Sequence, residues 1–495
     1  MFEPRGITLT KYQREGIERA SRVTGTYFAW ACGSGKTIGA ICAALNARQQ
    51  ACVQGKGLLP ILVVTKANAK YQWKREIEKV TRQYTVQVLN GFSDELDTAE
   101  PADFYIVNWD ILAERQREII ASLGKYLLIM DELHCGKSWK REEKVLIVDS
   151  SGHDRIVKQV ADNRAGAIHR LSQHAAWRLG LSATPIRDRI SDLWAQLDLL
   201  QPKLWGTNWA FVHRYCDAQP GKYGGLDTTG ASNIDELRAR VKRVMHKVTK
   251  QEASAQLPKI RREMVKLDRV QQIAARGFIT ELRKAKKPSS IFEIKLAMSA
   301  MSKRKWAVTE TVDLLLQGQK VAVFAGRRKE CEKLGQDIDK ALRVALRKEG
   351  VDINSVPMWC MHGGATVKAR GAGVADYAST IGAACFVGTT QAFGEAIDGL
   401  QCTDVAIITM LPWTPGEVEQ LEGRFARIGG NLVDGMRIIY VIAEGTVDEQ
   451  VADLILYKLA AVADVFENPE VDKLVSMFNQ DDKREAIIAQ MLLGE

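Results

Sequence analysis

Trp30 to Thr37 reads WACGSGKT. It follows the apolar run Tyr27, Phe28, Ala29 and precedes Ile38, Ile41, Cys42 and Leu45, one apolar stripe at helical spacing. The order is therefore strand, glycine-rich turn, helix start. Backbone N–H groups and the positive end of the helix dipole converge at such a turn, which suits it to polyphosphate. Gly33, Ser34 and Gly35 form the cradle, and the two glycines let phosphate oxygens approach the backbone. Lys36 is placed to reach the β- and γ-phosphates, and Thr37 to offer its hydroxyl to Mg²⁺. The strict form of this loop has glycine six residues before the lysine, where this chain has Trp30. A metabolic kinase or small GTPase would be poorly served by that residue.

At 495 residues the chain exceeds one hydrophobic core, and two to four units are expected. No apolar run approaches a membrane span and Met1–Thr10 lacks a signal-peptide core, so a cytoplasmic protein with no membrane partner is expected. The net charge of +9 is gathered in clusters: Lys66, Lys70, Lys74 and Arg75; Arg238 to Arg243; Lys259 to Arg262; Arg283 to Lys287; Lys303 to Lys305. Such clusters suit a phosphate backbone, because each contact releases counterions; singly, each also fits a solvated helix face. The nine cysteines include no CxxC pair that would start a zinc site, and they read as reduced thiols.

Before the loop, Arg5–Ile17 (RGITLTKYQREGI) opens a helix in which Gln13 has the paired donor and acceptor that match an adenine edge. After it, Leu58–Thr65 is an apolar strand. Ala69–Val80 is a helix with Trp73, Ile77 and Val80 inward and Lys70, Lys74, Arg75 and Lys79 outward. Phe104–Trp109 and Tyr126–Met130 are further buried strands. Buried strands alternating with helices argue for an α/β fold with a parallel sheet. The last of these strands delivers Asp131, Glu132, Leu133 and His134. Beside a phosphate loop, Asp131 is the expected Mg²⁺ ligand and Glu132 the group that polarises the attacking water. Arg178–Thr184 (RLGLSAT) reads as strand and turn, followed by Pro185, Ile186 and Arg187. Within the long interval 137–177, Lys144–Val148 and Arg155–Val157 flank the turn-rich DSSGHD and suggest a β-hairpin.

With the phosphate loop, DELH and LSATPIRDRISDLWAQLDLLQP, the chain resembles superfamily 2 helicases, in particular the SWI/SNF-related DNA translocases. RYCDAQPGKYGG through GASNIDELRARV resembles a segment of their HepA-related, annealing-helicase branch. Helicase-type loops keep only the last two glycines, in keeping with Trp30. The likeness runs from about Ile7 to Lys458. It implies two tandem RecA-like lobes with parallel sheets and short helical insertions: 1–255 with an insertion near 205–250, 256–464 with one near 270–316, and a helical tail at 465–495. Ile234–Lys250 reads as a basic amphipathic helix, and Leu257-Pro258 with IRREMVKLD as the crossing between lobes. A second strand series follows at Lys320–Gly326, Met358–His362, Ala384–Thr390, Val405–Met410 and Arg437–Ile442.

Only the first lobe has a phosphate loop, so the second is expected to supply charges that sense the γ-phosphate. Glu419–Gly430 (EQLEGRFARIGG) resembles the family's arginine-bearing motif, with Gln420, Arg424 and Arg427 at helical spacing; Gly430 stands where the family usually has glutamine. The resemblance implies Arg427 as arginine finger, Arg424 as its companion, and Gln420, His134, Ser182 and Thr184 as coupling residues. Gln391–Asp398 (QAFGEAID) is a diluted coupling motif from which Gly394 and Asp398 carry over as nucleotide contacts, while Trp413 and Gly416 in LPWTPG match well.

The expected protein is a monomeric, ATP- and Mg²⁺-dependent DNA translocase that remodels or branch-migrates duplex or forked DNA through largely sequence-independent phosphate contacts. Lys66, Lys70, Arg187 and Arg327 are the candidate DNA contacts, and a bacterium or bacteriophage the expected source. The alternatives are a strand-separating DNA or RNA helicase on the same engine and a DNA-binding scaffold with weak ATPase.

Overall fold

Gly25–Trp30 (GTYFAW) is buried at every position and forms the strand at the root of the phosphate loop. In a computed structural model of the chain, the described residues are 2–91, 96, 100–137, 142–148, 154–160, 163–186, 189–221, 225–253, 259–267, 288–393, 399–413, 415–425, 435–453 and 455. They divide into two units at Lys250/Gln251. Expected features at Arg187, Gly394, Asp398, Arg427, Gly430 and the tail 465–495 lie outside the described residues.

The first unit carries β1 (Gly25–Trp30), β2 (Ile61–Thr65), β3 (Val86–Val88), β4 (Phe104–Asn108), β5 (Leu127–Asp131), β6 (Glu142–Val148), β7 (Asp154–Val160), β8 (Trp177–Leu181), β9 (Gln219–Pro220), β10 (Leu226–Asp227) and β11 (Met245–Val248). Seven of them form one sheet in the order β11-β1-β8-β5-β2-β4-β3, with every pairing parallel. Strands β1, β2 and β4 are buried along their whole length, as a parallel sheet covered on both faces requires. In such sheets ligands bind beyond the carboxyl ends of the strands. The order here makes β1, β8, β5 and β2 neighbours. Their carboxyl ends lead into Ala31–Thr37, Ser182–Thr184, Glu132–His134 and Lys66 respectively.

β6 and β7 pair antiparallel, Val148 opposite Asp154, as the hairpin reading expects. The expected helix over Ile234–Lys250 is shorter. It ends at Val244, and Met245–Val248 continues as β11 along the edge of β1. Met245 and Val248 are buried and the two residues between them are not, so this four-residue strand shows no alternation that would stand out after an amphipathic helix.

The second unit carries β12 (Ile260–Leu267), β13 (Lys320–Ala325), β14 (Met358–Met361), β15 (Ala384–Thr389), β16 (Val405–Ile408) and β17 (Met436–Ala443) in one parallel sheet, ordered β12-β17-β16-β13-β15-β14. Side-chain alternation builds two cores. Ala322, Phe324, Phe386, Ala406, Ile408, Ile438 and Tyr440 face one, and Val321, Val323, Cys385, Val387, Val405, Ile407 and Ile439 the other. A helix over Pro288–Leu316 falls in the expected insertion.

IRREMVKL, read as a crossing, is instead strand β12, paired with β17 over all eight residues. Its charges hide it from a hydrophobic reading, but an edge strand keeps one side open and can carry them. Here they are matched. Arg437 Nε donates to Glu263 at 2.9 Å, and Arg262 donates twice to the buried Glu422, at 2.7 and 2.8 Å. Glu422 also accepts from the Tyr440 hydroxyl at 2.9 Å, so the helix Pro415–Phe425, which bears Gln420 and Arg424, is bolted to β12 and β17. Gln420 is itself buried, and Arg424 is half-buried in the last turn.

Candidate nucleotide site

The turn after β1 needs two left-handed residues, and glycine supplies both: Gly33 at φ +79° and Gly35 at φ +76°. Gly35 caps the helix Lys36–Val53, so its first N–H groups open onto the loop. Lys36 Nζ donates to the carbonyls of Trp30 at 2.8 Å and Ala31 at 3.1 Å, folded back on its own loop. The preceding helix, Lys11–Arg22, clamps the loop from outside. The Tyr12 hydroxyl and Gln13 Nε2 both donate to the Ser34 carbonyl, at 2.9 and 3.1 Å. Gln13 Oε1 accepts from Thr10 N at 2.9 Å in a capping box, so this amide is engaged with the loop and its own helix.

Trp30 has a physical reason. Its ring fills the space over two helical glycines: a Cβ on Gly16 would lie 2.4 Å from it and one on Gly39 2.6 Å. It stacks on Phe28 with ring centroids 4.4 Å apart, and its Nε1 donates to His246 Nδ1 at 2.8 Å. Restoring the strict-pattern glycine by Trp30→Gly should therefore cost about 3–5 kcal/mol by opening a cavity. Thermal denaturation checks this; an unchanged melting temperature would show that the ring is dispensable.

Asp131 ends β5 half-buried. Its Oδ2 accepts from Thr65 Oγ1 at 2.7 Å and Trp73 Nε1 at 2.8 Å, its Oδ1 from the Glu132 N–H at 3.1 Å, and its carbonyl from Trp109 Nε1 at 2.9 Å. Burial pushes the Asp131 carboxyl up and the Glu132 charge adds to that, while Trp73, Thr65 and the Lys36 charge hold it down. A divalent cation would relieve both unfavourable effects. Thr37 on the first helical turn and Asp131 thus fit Mg²⁺, which takes few protein ligands and keeps phosphate and water oxygens. Thr65, Trp73 and Trp109 are contributions the sequence reading missed; the polar end of an apolar strand, ILVVT, was the available signal for Thr65.

Glu132 adopts a left-handed conformation at φ +51°, a strain that non-glycine residues hold where surroundings enforce it. Next in line, the buried His134 places Nδ1 3.2 Å from Glu132 Oε2 and 3.1 Å from Ser182 Oγ, and Ser182 Oγ accepts from Thr184 N at 3.1 Å. The acidic pair and the SAT turn are thereby joined through one imidazole. Among the described residues, the Thr184 hydroxyl and the Ser34 hydroxyl are both buried with no hydrogen-bond partner. Ser34 lies within the phosphate cradle itself.

Two of the expected DNA contacts are engaged internally, and Lys70 does not face outward as expected. Lys70 lies on the inner face of its helix, in step with Trp73, Ile77 and Val80, and donates to the Leu89 carbonyl at 2.7 Å. Position 70 belongs to that apolar period, which the charge of the side chain concealed. Arg327 is paired within its unit, Nε to Glu330 at 2.7 Å and Nη1 to Glu293 at 2.5 Å. Lys66 is half-buried just past β2, at the same end of the sheet as the phosphate loop.

The SNF2-related domain matches residues 12–321, from the clamping helix through the acidic pair into β13. The chain belongs to the SNF2-related family. The helicase conserved C-terminal domain matches residues 305–429, most of the second sheet and the arginine-bearing helix. Family membership implies ATP use. Among curated relatives, the chain is 26% identical over 92% of its length to a SWI/SNF-related matrix-associated actin-dependent regulator of chromatin subfamily A-like protein 1 of Xenopus tropicalis, covering 44% of that protein. It is 25% identical over 89% of its length to the DNA annealing helicase and endonuclease ZRANB3 of Bos taurus, covering 39%. The chain thus spans less than half the length of these SNF2-related relatives. In fold it is similar to the ATP-dependent Type ISP restriction-modification enzyme LlaBIII, solved bound to DNA, with a TM-score of 0.54 at 14% identity over 93% of this chain and 30% of that one. No described helix is long and apolar enough to cross a membrane.

Proposed function

We propose that this chain is a DNA-stimulated, Mg²⁺-dependent ATPase that translocates on duplex DNA as a monomer and remodels or branch-migrates DNA structures. The observation that carries the reading is the placement of the Gly33–Thr37 cradle and the half-buried, hydrogen-bonded Asp131–Glu132 pair at the carboxyl ends of β1 and β5. The names of the annealing-helicase relatives favour DNA as the polymer.

In this mechanism Lys36 leaves its loop carbonyls to meet the β- and γ-phosphates, and Gly33, Ser34 and Gly35 present backbone N–H groups. Thr37 and Asp131 hold the metal ion, which would neutralise phosphate charge. Glu132 takes the proton of the attacking water, and His134 reports its state to Ser182 and Thr184. Arg424 and Arg427 are assigned, from the family's arginine-bearing motif, the charge that senses the γ-phosphate. Gly394 and Asp398 contribute nucleotide contacts and Gln420 coupling. Lys66 and Arg187 contact DNA phosphates.

Trp73 acts through Asp131. Trp73→Phe keeps the ring in the core but removes one of the two hydrogen bonds on Oδ2. The Mg²⁺ concentration for half-maximal turnover should rise roughly tenfold, while turnover at saturating metal stays within a few-fold of the parent. A metal titration of ATPase rate measures this; an unchanged requirement would mean that Trp73 only packs.

Steady-state ATP turnover with no polymer, duplex DNA, single-stranded DNA, forked DNA and RNA tests the reading. Stimulation by duplex DNA is the expected result, with a further gain on forks for a remodelling enzyme. Stimulation by RNA alone would overturn the choice of polymer, and no stimulation by any of them would favour a scaffold.

A further inference from the structure

The second unit holds a pair of cysteines that nucleotide chemistry does not use. Cys331 lies in the first turn of the helix Arg328–Lys348 and is fully buried; Cys360 lies on β14, the edge strand of the sheet, and is exposed. Their sulfurs are 3.9 Å apart, and Cys360 Sγ also approaches the Cys331 carbonyl at 3.5 Å. The contact is accommodated by the helix itself: a Cβ on Gly335, one turn further on, would lie 2.8 Å from Cys360 Sγ. Glycine inside a helix weakens it, and here its missing side chain is the space the second sulfur occupies.

We propose that Cys331 and Cys360 form a reversible redox modification site, closed to an intrachain disulfide by hydrogen peroxide. The exposed thiol is the attacking group. The hydrogen bond between the two sulfurs holds Cys360 below the usual thiol range, whereas that bond and then burial hold Cys331 above it. The Cys360 thiolate attacks one peroxide oxygen and the O–O bond breaks. This leaves a sulfenic acid on Cys360 and, with the thiol proton, one water. The Cys331 sulfur then attacks the sulfenic sulfur, its proton leaves with the hydroxyl as a second water, and the S–S bond forms. Two thiols are oxidised and one peroxide is reduced. A small thiol reverses the step by exchange. The approach from 3.9 Å to bonding distance needs side-chain rotation in a contact that is already made. The product ties the start of this helix to the edge strand, beside the Glu332 carboxylate that His362 Nε2 meets at 2.9 Å.

The full chain is treated with a few equivalents of hydrogen peroxide and read by intact mass and by non-reducing peptide mapping. The expected result is loss of two hydrogens, a peptide joining Cys331 to Cys360, and restoration by dithiothreitol. Cys360→Ser should abolish the joined peptide and leave basal ATP turnover unchanged. Gly335→Ala, which pushes the strand sulfur away without removing either thiol, should slow its formation several-fold. Oxygen addition at Cys360 with no joined peptide, a joined peptide using another cysteine, or no change in mass would each overturn the proposal.

Discussion

Lys36→Ala is expected to lower ATP turnover by on the order of 10²–10³-fold or more while the protein stays folded. The lysine is the cation placed to meet the transferred phosphoryl group. Among the described residues, its ammonium is held by two carbonyls of its own loop and hydrogen-bonds to no side chain. Removing it therefore takes away transition-state charge without opening a cavity, and the melting temperature should move by no more than a few degrees. Turnover near that of the parent would remove the nucleotide site from this loop altogether.

Glu132→Gln is expected to reduce turnover on the order of 10²–10⁴-fold while ATP and DNA binding persist. The substitution keeps the shape of the side chain and the left-handed backbone at position 132, and its amide can still meet His134. What it loses is the capacity to accept a proton from water. Nucleotide binding followed by fluorescence, set beside a steady-state assay, separates the two effects. A variant that loses ATP binding together with turnover would make Glu132 a binding group.

Much of this was legible in the residues, because strands buried on both faces announce themselves as apolar runs. The strands at β1, β2, β4, β5, β8, β13, β15, β16 and β17 stand where continuous hydrophobic stretches put them, and the glycine turn and DELH follow two of them. The edges were harder to read. β11 and β12 have a neighbour on only one side, tolerate charge, and so resemble helix surface or linker. Lys70 was misread for the opposite reason, since its charge outweighed its place in the apolar period of its helix.

Within the site, the residues that bear chemistry were visible from motif spacing. The groups that hold them were not. Trp73, Thr65 and Trp109 converge on Asp131 from separate elements, and Gly16 and Gly39 make room for Trp30 from two helices. Such complementarity depends on tertiary neighbours, which no local pattern records. The departure at Trp30 now has its explanation, since the ring replaces a glycine in the loop by borrowing space from glycines elsewhere.

Movement along duplex DNA driven by hydrolysis can be read from the displacement of a third strand from a triplex. The expected result is release of the third strand that requires ATP and Mg²⁺ and is lost in Lys36→Ala. Duplex-stimulated hydrolysis with the third strand left in place would contradict it.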